Sequence, residues 1–358
     1  DYCTTKIIIQ DNLGDACPDT QTGTSAIIAG DVISASNEAV EKVMVKVQDA
    51  NNQMQKEHRT ENDGHFAFNG LPMYKNYILR AERNDDPLNG VTTRDLIAIQ
   101  RHLLGQEEFN SPYQYIAADA NNSYHVSAKD IIELRKLILG IYDELPSNQS
   151  WRFLKANQQF SDPNDPFPFE ESIRYENLDK NEMTSNLMGV KVGDITGDAV
   201  TNGLIGTQVR TNGTEYLLNA KDQSFTTGEY VDIILKAGDV DIEGIQFAIS
   251  FDTELLEFVS IVPVSSDVTE SNFGLRDVTT GSIKASWNSS DQRLENGEEI
   301  VRLTFLANGS GQISNAISID KSAMPAEAYT DDGQTFSVDL ALDGRGKGSS
   351  LSFALLQN

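Results

Sequence analysis

Between Asp119 and Asp130 the side chains that bear oxygen fall at a regular spacing. Asp119, Asn121, Ser123 and Ser127 occupy alternate positions around His125, and Asp130 follows three residues later. Calcium takes roughly six to eight oxygens at loose spacing, and a loop of about twelve residues supplies them from positions 1, 3, 5, 9 and 12 and from the main chain at 7. On that pattern His125 contributes its carbonyl, and Asp130 closes the loop where a helix begins. Tyr124 stands where a glycine is usual for the sharp turn. The same residues also make an Asx-rich turn whose last aspartate caps a helix, so both readings stay open. A second stretch, from Asn84 to Asp95, offers Asp85, Asp86, Asn89 and Asp95, interrupted by Pro87 and Leu88. A third acidic turn, Asp194-Ile195-Thr196-Gly197-Asp198, either lends oxygen to that incomplete loop or is a solvated turn. Calcium is the expected ion at all three.

Two helices must position these loops. DLIAIQRHLLG starts at Asp95 and DIIELRKLILG starts 35 residues later at Asp130. Leu96, Ile99 and Leu103 match Ile131, Leu134 and Ile138 on one apolar stripe, and Gly105 and Gly140 stand where a left-handed residue ends a helix.

The rest of the chain reads as strands. Residues 1–20 hold one alternating run, Thr4 to Gln10, which needs a partner: another subunit's sheet edge, its own chain, or an upstream domain. Residues 21–83 alternate at Val43, Val45 and Val47 and carry the turn Asn62-Asp63-Gly64, as in a small antiparallel sandwich. Residues 84–205 hold the helical repeat and an irregular extension, with Trp151 and Phe153 as anchors, expected to wrap the helix pair. Residues 206–345 alternate again, at Val231, Ile233 and Leu235 and at Ile245, Phe247, Ile249 and Phe251, which predicts a larger sandwich or jelly roll. Residues 346–358 read as a linker with a last strand. The fold class expected is mainly β and multidomain, with one α-helical module.

With 28 Lys and Arg against 54 Asp and Glu the formal net charge is −26, which repels phosphate backbones and anionic lipid. Nucleic-acid partners and membrane insertion are not expected. Asp1 rather than Met at the start reads as a processed, exported product, and Cys3 and Cys17 form a disulfide or remain two thiols. Asn148, Asn212, Asn288 and Asn308 each begin an Asn-x-Ser/Thr triplet. No zinc-protease, serine-hydrolase or phosphate-loop motif occurs, and His58, His65, His102 and His125 are scattered. An enzyme is not expected.

TTRDLIAIQRHLLG and SAKDIIELRKLILG resemble the helix starts of a type I dockerin. GEYVDIILKAGDVDIEGIQFAISFDTELLEFVSI, followed by GSIKASWNSSDQRLENGEEIVRLTFLANG, resembles a cohesin. TENDGHFAFNGLP resembles a carboxypeptidase regulatory-like, transthyretin-like sandwich, and FALLQN is similar to the junction before the sorting domain of type IX-secreted proteins. The combination resembles the C-terminal part of large bacterial surface proteins. The resemblance implies a non-enzymatic, extracellular or cell-surface structural protein, calcium-stabilised, that self-associates or joins another surface protein. Filaments would form by donation of Thr4–Gln10 or by cohesin–dockerin-like contacts, unless those two halves pack within one molecule. The alternative it implies is an adhesin or scaffold module for polysaccharide or a partner enzyme.

Overall fold

The structure, a computed structural model, describes residues 25–49, 51, 53–203 and 215–343. Thr4–Gln10, Cys3, Cys17, Asn212 and the segment 346–358 lie outside the described residues. No helix among the described residues is long and apolar enough to cross a membrane.

The chain is mainly β, in several sheets. Its first part holds β1 (Ser25–Ser34), β2 (Met44–Asp49), β3 (Met54–Arg59), β4 (His65–Pro72) and β5 (Tyr77–Glu82). The helices α1 (Thr93–Leu103), α2 (Pro112–Ala118) and α3 (Ala128–Ile138) come next. They are followed by β6 (Trp151–Lys155), β7 (Ile173–Tyr175) and β8 (Leu187–Lys191).

Two four-stranded sheets, ordered β4-β1-β8-β6 and β3-β2-β5-β7, enclose Ile28, Val45, Val47, Phe66, Phe68, Leu79, Trp151 and Phe153. The 146–205 extension therefore does not simply wrap the helices, as its irregular sequence suggests. It supplies three strands to the first sandwich, β8 pairing parallel to β1 and antiparallel to β6. The physical reason is double coverage: Trp151 and Phe153 face the sandwich core, while Leu154, Met188 and Val190 pack on Ile116 and Ala117 of α2. Strands buried on both faces lose the alternation that would announce them. Gly64, at the Asn-Asp-Gly turn, has φ +68°, and a Cβ there would lie 2.5 Å from the Val32 carbonyl oxygen.

α1 and α3 share a core of Leu96, Ile99, Leu134, Leu137 and Ile138, extended by Val192 and Ile195. Gly105 and Gly140 follow the two helices at φ +67° and +69°, as their spacing predicts. Leu103 leaves the expected stripe and is exposed at the end of α1.

The last part contains β9 (Glu215–Lys221), β10 (Ser224–Phe225), β11 (Tyr230–Lys236), β12 (Gly244–Phe251), β13 (Leu256–Pro263), β14 (Phe273–Gly274), β15 (Ser282–Asn288) and β16 (Glu299–Ala307). It closes with β17 (Gly311–Gln312), a short α4 (Ile313–Ala316), β18 (Ile317–Ile319), β19 (Glu327–Tyr329) and β20 (Thr335–Asp343). Ten of these strands join edge to edge into one sheet that curls around a core including Tyr216, Phe247, Phe251, Trp287, Leu303 and Phe305. β9 and β20 run parallel, and β13 and β14 end the strand order.

Candidate metal loops and the helix–sandwich junction

The residues expected to bind calcium between 119 and 130 form a compact cage. Asp119 is fully buried; its carboxylate accepts from Ser123 N and Tyr124 N, both at 2.8 Å. Asp130, also fully buried, accepts from Asn121 N at 3.1 Å with one oxygen, and from Ser127 N at 2.9 Å and Ser127 Oγ at 3.0 Å with the other. Ser123 Oγ donates to the His125 carbonyl at 3.1 Å, which brings the fifth and seventh positions together. The imidazole of His125 is exposed. Tyr124 has φ +61°, so the loop makes the left-handed turn for which glycine is usual, with a tyrosine in place. Asn148 Nδ2 donates to the Asp119 carbonyl at 2.8 Å, and Arg152 ties Asn122 Oδ1 (2.7 Å) to Glu171 (2.5 and 2.9 Å).

The same pattern recurs at α1, from two distant pieces of chain. Asp194 accepts from Gly197 N, Asp198 N and Ala199 N, as Asp119 does from its own loop. Asp95, at the head of α1, takes the part of Asp130. One of its oxygens accepts from Ile195 N (2.8 Å), Thr196 N and Thr196 Oγ1 (both 3.0 Å), and the other from Thr92 N (2.9 Å) and Thr92 Oγ1 (3.1 Å). Thr196 Oγ1 also meets Asp198 Oδ2 at 3.0 Å. The structure thus brings Asp194 and Asp198 to Asp95. It places Asp85 against Arg83 Nε (2.6 Å), leaves Asp86 exposed at φ +46°, and engages Asn89 with the main chain of Val200.

Both cages are electrostatically loaded. Burial pushes the Asp95 carboxyl up to about 7, and the charges of Asp194 and Asp198 push the same way. Burial also raises Asp194 and Asp130, the latter with a contribution from Asp119. Lys191, at the end of β8, is buried and lowered by that burial to about 8, while Asp194, Asp86 and Asp95 oppose the shift.

Do these residues suit a hard cation? Among the described residues no three acidic, histidine or cysteine side chains converge as a metal cage. The 119–130 cage brings two carboxylates and the α1 cage two with Asp198 beside them, among amide, hydroxyl and main-chain groups, a donor set of the kind calcium accepts. In the 119–130 cage Asn121 Oδ1 is buried with no hydrogen-bond partner among the described residues, an acceptor free for a donor or a cation. Asp119, Asn121, Ser123, Ser127, Asp130 and the His125 carbonyl fit the ion there; Asp95, Asp194, Thr196 and Asp198 make the corresponding set at α1.

The capping residues of α1 face a second partner. Thr93 is fully buried; its N–H donates to Gln246 Oε1 at 2.6 Å and its hydroxyl meets Ser286 Oγ at 2.7 Å, on β12 and β15. Farther along α1, Arg101 Nη2 donates to Glu243 Oε1 at 2.6 Å and to the Asp331 carbonyl at 2.8 Å. Arg293 stands 3.6 Å from the other Glu243 oxygen. Burial raises the Glu243 carboxyl, and Arg101 and Arg293 pull it back. From α3, Arg135 donates to Asn288 Oδ1 at 2.6 Å, and the following turn receives Arg276 at Asp143, also 2.6 Å. Flatness makes the approach possible: a Cβ on Gly244 would lie 2.7 Å from Ile97 Cδ1, and one on Gly274 would overlap the Leu139 carbonyl. The helix pair and the second sandwich therefore pack within one molecule.

Sequence reasoning passed over the junction residues and Lys191. A signal for Lys191 existed, since a lone lysine in the run Leu-Met-Gly-Val-Lys-Val is out of place unless it is buried with a purpose. Gln246 and Ser286 alternate correctly for outward-facing positions, and nothing in their types told a docked face from a wet one. Asn288, one of the glycosylation triplets, is buried in the junction, whereas Asn308 is exposed.

No family model matches the chain, and no curated protein matches it. Solved cohesin modules do. The sixth cohesin of Acetivibrio cellulolyticus scaffoldin B, solved with a Cel5 dockerin mutant, is 20% identical over 36% of this chain and 100% of its own, with TM-score 0.28. The Coh-OlpC–Doc435 complex of Clostridium thermocellum gives 14%, 37%, 93% and 0.29. A non-cellulosomal cohesin from Archaeoglobus fulgidus gives 15%, 36%, 88% and 0.25.

Proposed function

We propose that the chain is a non-enzymatic, calcium-stabilised connector of an extracellular or cell-surface assembly. The observation that carries this reading is the start of α1. Asp95 lies in a carboxylate cage with Asp194, and two residues earlier Thr93 is hydrogen-bonded into the second sandwich. Calcium would neutralise the buried carboxylates and cross-link each loop to its helix start. Residues of three regions then hold one another in a fixed relation: the Asp194–Asp198 turn, the helix pair and the β12–β15 face. A binding constant in the range of extracellular calcium modules, about 10⁻⁴ to 10⁻³ M, would suit that role.

Calcium titration by calorimetry, with melting curves and small-angle scattering in calcium and in chelator, tests the proposal. Binding heat that falls from two sites to one in Asp119→Ala and in Asp95→Ala, together with a lower melting temperature in chelator, is expected. A chain that takes up no calcium and melts identically in both buffers refutes it.

Assembly into filaments belongs to the same proposal through the edge of β13, where Val259 and Val262, and Val264 just beyond the strand, are exposed. Thr4–Gln10 of a neighbouring copy would add there as a strand. Removal of residues 1–17 should abolish long polymers in electron micrographs. Polymers that persist exclude strand donation.

A second reading, a polysaccharide-binding module, is favoured by an open groove of about 850 Å³ beside the 119–130 loop. Arg80, Asn84, Asn148, Gln149 and Phe169 are among its walls, a mixture of planar polar and aromatic groups suited to sugars. Retardation in affinity gels containing polysaccharide, lost in Gln149→Ala, would favour it over the connector.

A further inference from the structure

Lys191 closes β8, a strand whose five residues are all buried, and its own side chain is 4% exposed. An ammonium taken out of water costs several kcal/mol unless its donors and its charge are both answered. The donors are answered by main-chain oxygen: Nζ donates to the Pro87 carbonyl at 2.8 Å and to the Val192 carbonyl at 2.9 Å. Its charge is favoured by Asp194, Asp86 and Asp95 and opposed by burial and by Arg83; Asp194 N donates to the Lys191 carbonyl at 3.3 Å, which sets the lysine beside the split cage. Pro87 belongs to the Asn84–Asp95 stretch, where the sequence predicts a calcium loop. At that loop the structure instead provides a covalently attached cation held by carbonyls.

We propose that Lys191 is a tethered cation that stands in for metal charge beside the split cage of Asp95 and Asp194. This half of the helical module then depends less on calcium than the 119–130 half, and it binds the ion more weakly. Among the described residues the 119–130 cage has no such buried lysine; Arg152, the cation on its wall, is engaged by Glu171 and by Asn122 Oδ1. The two cages therefore differ in metal dependence, and the continuous loop is the one that depends on the ion more. The inference rests on the calcium reading for its second half and is independent of it for its first.

The test uses the full chain with Lys191→Met, which keeps the length of the side chain and removes the charge, and Lys191→Arg, which keeps the charge. In chelator the Met variant should melt well below wild type, with the Arg variant between them. Saturating calcium should return the Met variant most of the way. Calorimetry should show calcium binding at the weaker of two sites tightened by on the order of tenfold in the Met variant, because a like charge no longer repels the ion. Equal losses for Met and Arg in chelator would overturn the tethered cation. So would a Met variant that loses as much in calcium as in chelator, or one whose calcium affinity is unchanged or lower. If the Met variant is unfolded in chelator, refolding on addition of calcium supports the proposal and failure to refold overturns it. If wild type binds no calcium at all, the connector reading fails, while the Met–Arg comparison in chelator still decides the role of Lys191.

Discussion

Replacing Arg101 by Gln would test how the helix pair is held to the second sandwich. Glu243 is 2% exposed, and its nearest cation is Arg101 at 2.6 Å, with Arg293 a full ångström farther away. Removing one partner of a buried pair costs about 3–5 kcal/mol, because the remaining charge is stranded. The Arg101 side chain is 23% exposed and Arg293 remains, so the cost falls at or below the bottom of that range, about 2–3 kcal/mol. For a chain of this size that is a fall in melting temperature of about 3–4 °C. The loss has a pH signature. Burial already raises Glu243, and without Arg101 its folded value rises further. A carboxyl whose folded value exceeds its unfolded one lowers stability wherever it is ionised, so the deficit should be full at pH 8 and shrink as pH falls toward 5. The assay is chemical denaturation of wild type, Arg101→Gln, Glu243→Gln and the double variant at several pH values. The double variant should recover much of the loss, since neither charge is then stranded. A deficit independent of pH, or double-variant losses that simply add, would refute the reasoning.

Three further outcomes are expected. In chelator, stability should rise as pH falls from about 8 to 6, because Asp95, raised to about 7, costs stability when ionised and ceases to do so once protonated. In saturating calcium the urea midpoint should lose that slope or reverse it. Gly274→Ala should displace the end of α3 from the sandwich and cost about 1–3 kcal/mol, since the added methyl meets the main-chain oxygen of Leu139 and not a movable side chain; a melt within error of wild type would contradict this. Arg152→Met should release Asn122 and Glu171 and weaken calcium binding a few-fold at the 119–130 loop alone, as a two-site calorimetric fit would show.

Much of the local chemistry was legible in the chain. The spacing of Asp119, Asn121, Ser123, Ser127 and Asp130 predicted a turn ending in a helix start, and in the structure each aspartate gathers the neighbouring N–H groups that the turn exposes. Helix periodicity and Gly105 and Gly140 located α1 and α3, because amphipathic stripes and left-handed caps depend on residues a few positions apart. Alternation located most strands of the second sandwich for the same reason.

What tertiary structure alone decided lies between segments far apart in sequence. Asp95 finds its partner in Asp194 rather than in Asp85 or Asp86, since a carboxylate accepts whichever N–H groups the fold presents, and the fold presents Ile195 and Thr196. The strands at 151–155 and 187–191 were hidden because both their faces are covered, which erases the polar half of the alternation. Thr93, Arg101, Gln246 and Ser286 are ordinary surface types in sequence. They become a buried junction only when two glycines let a helix approach a sheet, and a short-range pattern has no means of recording that proximity.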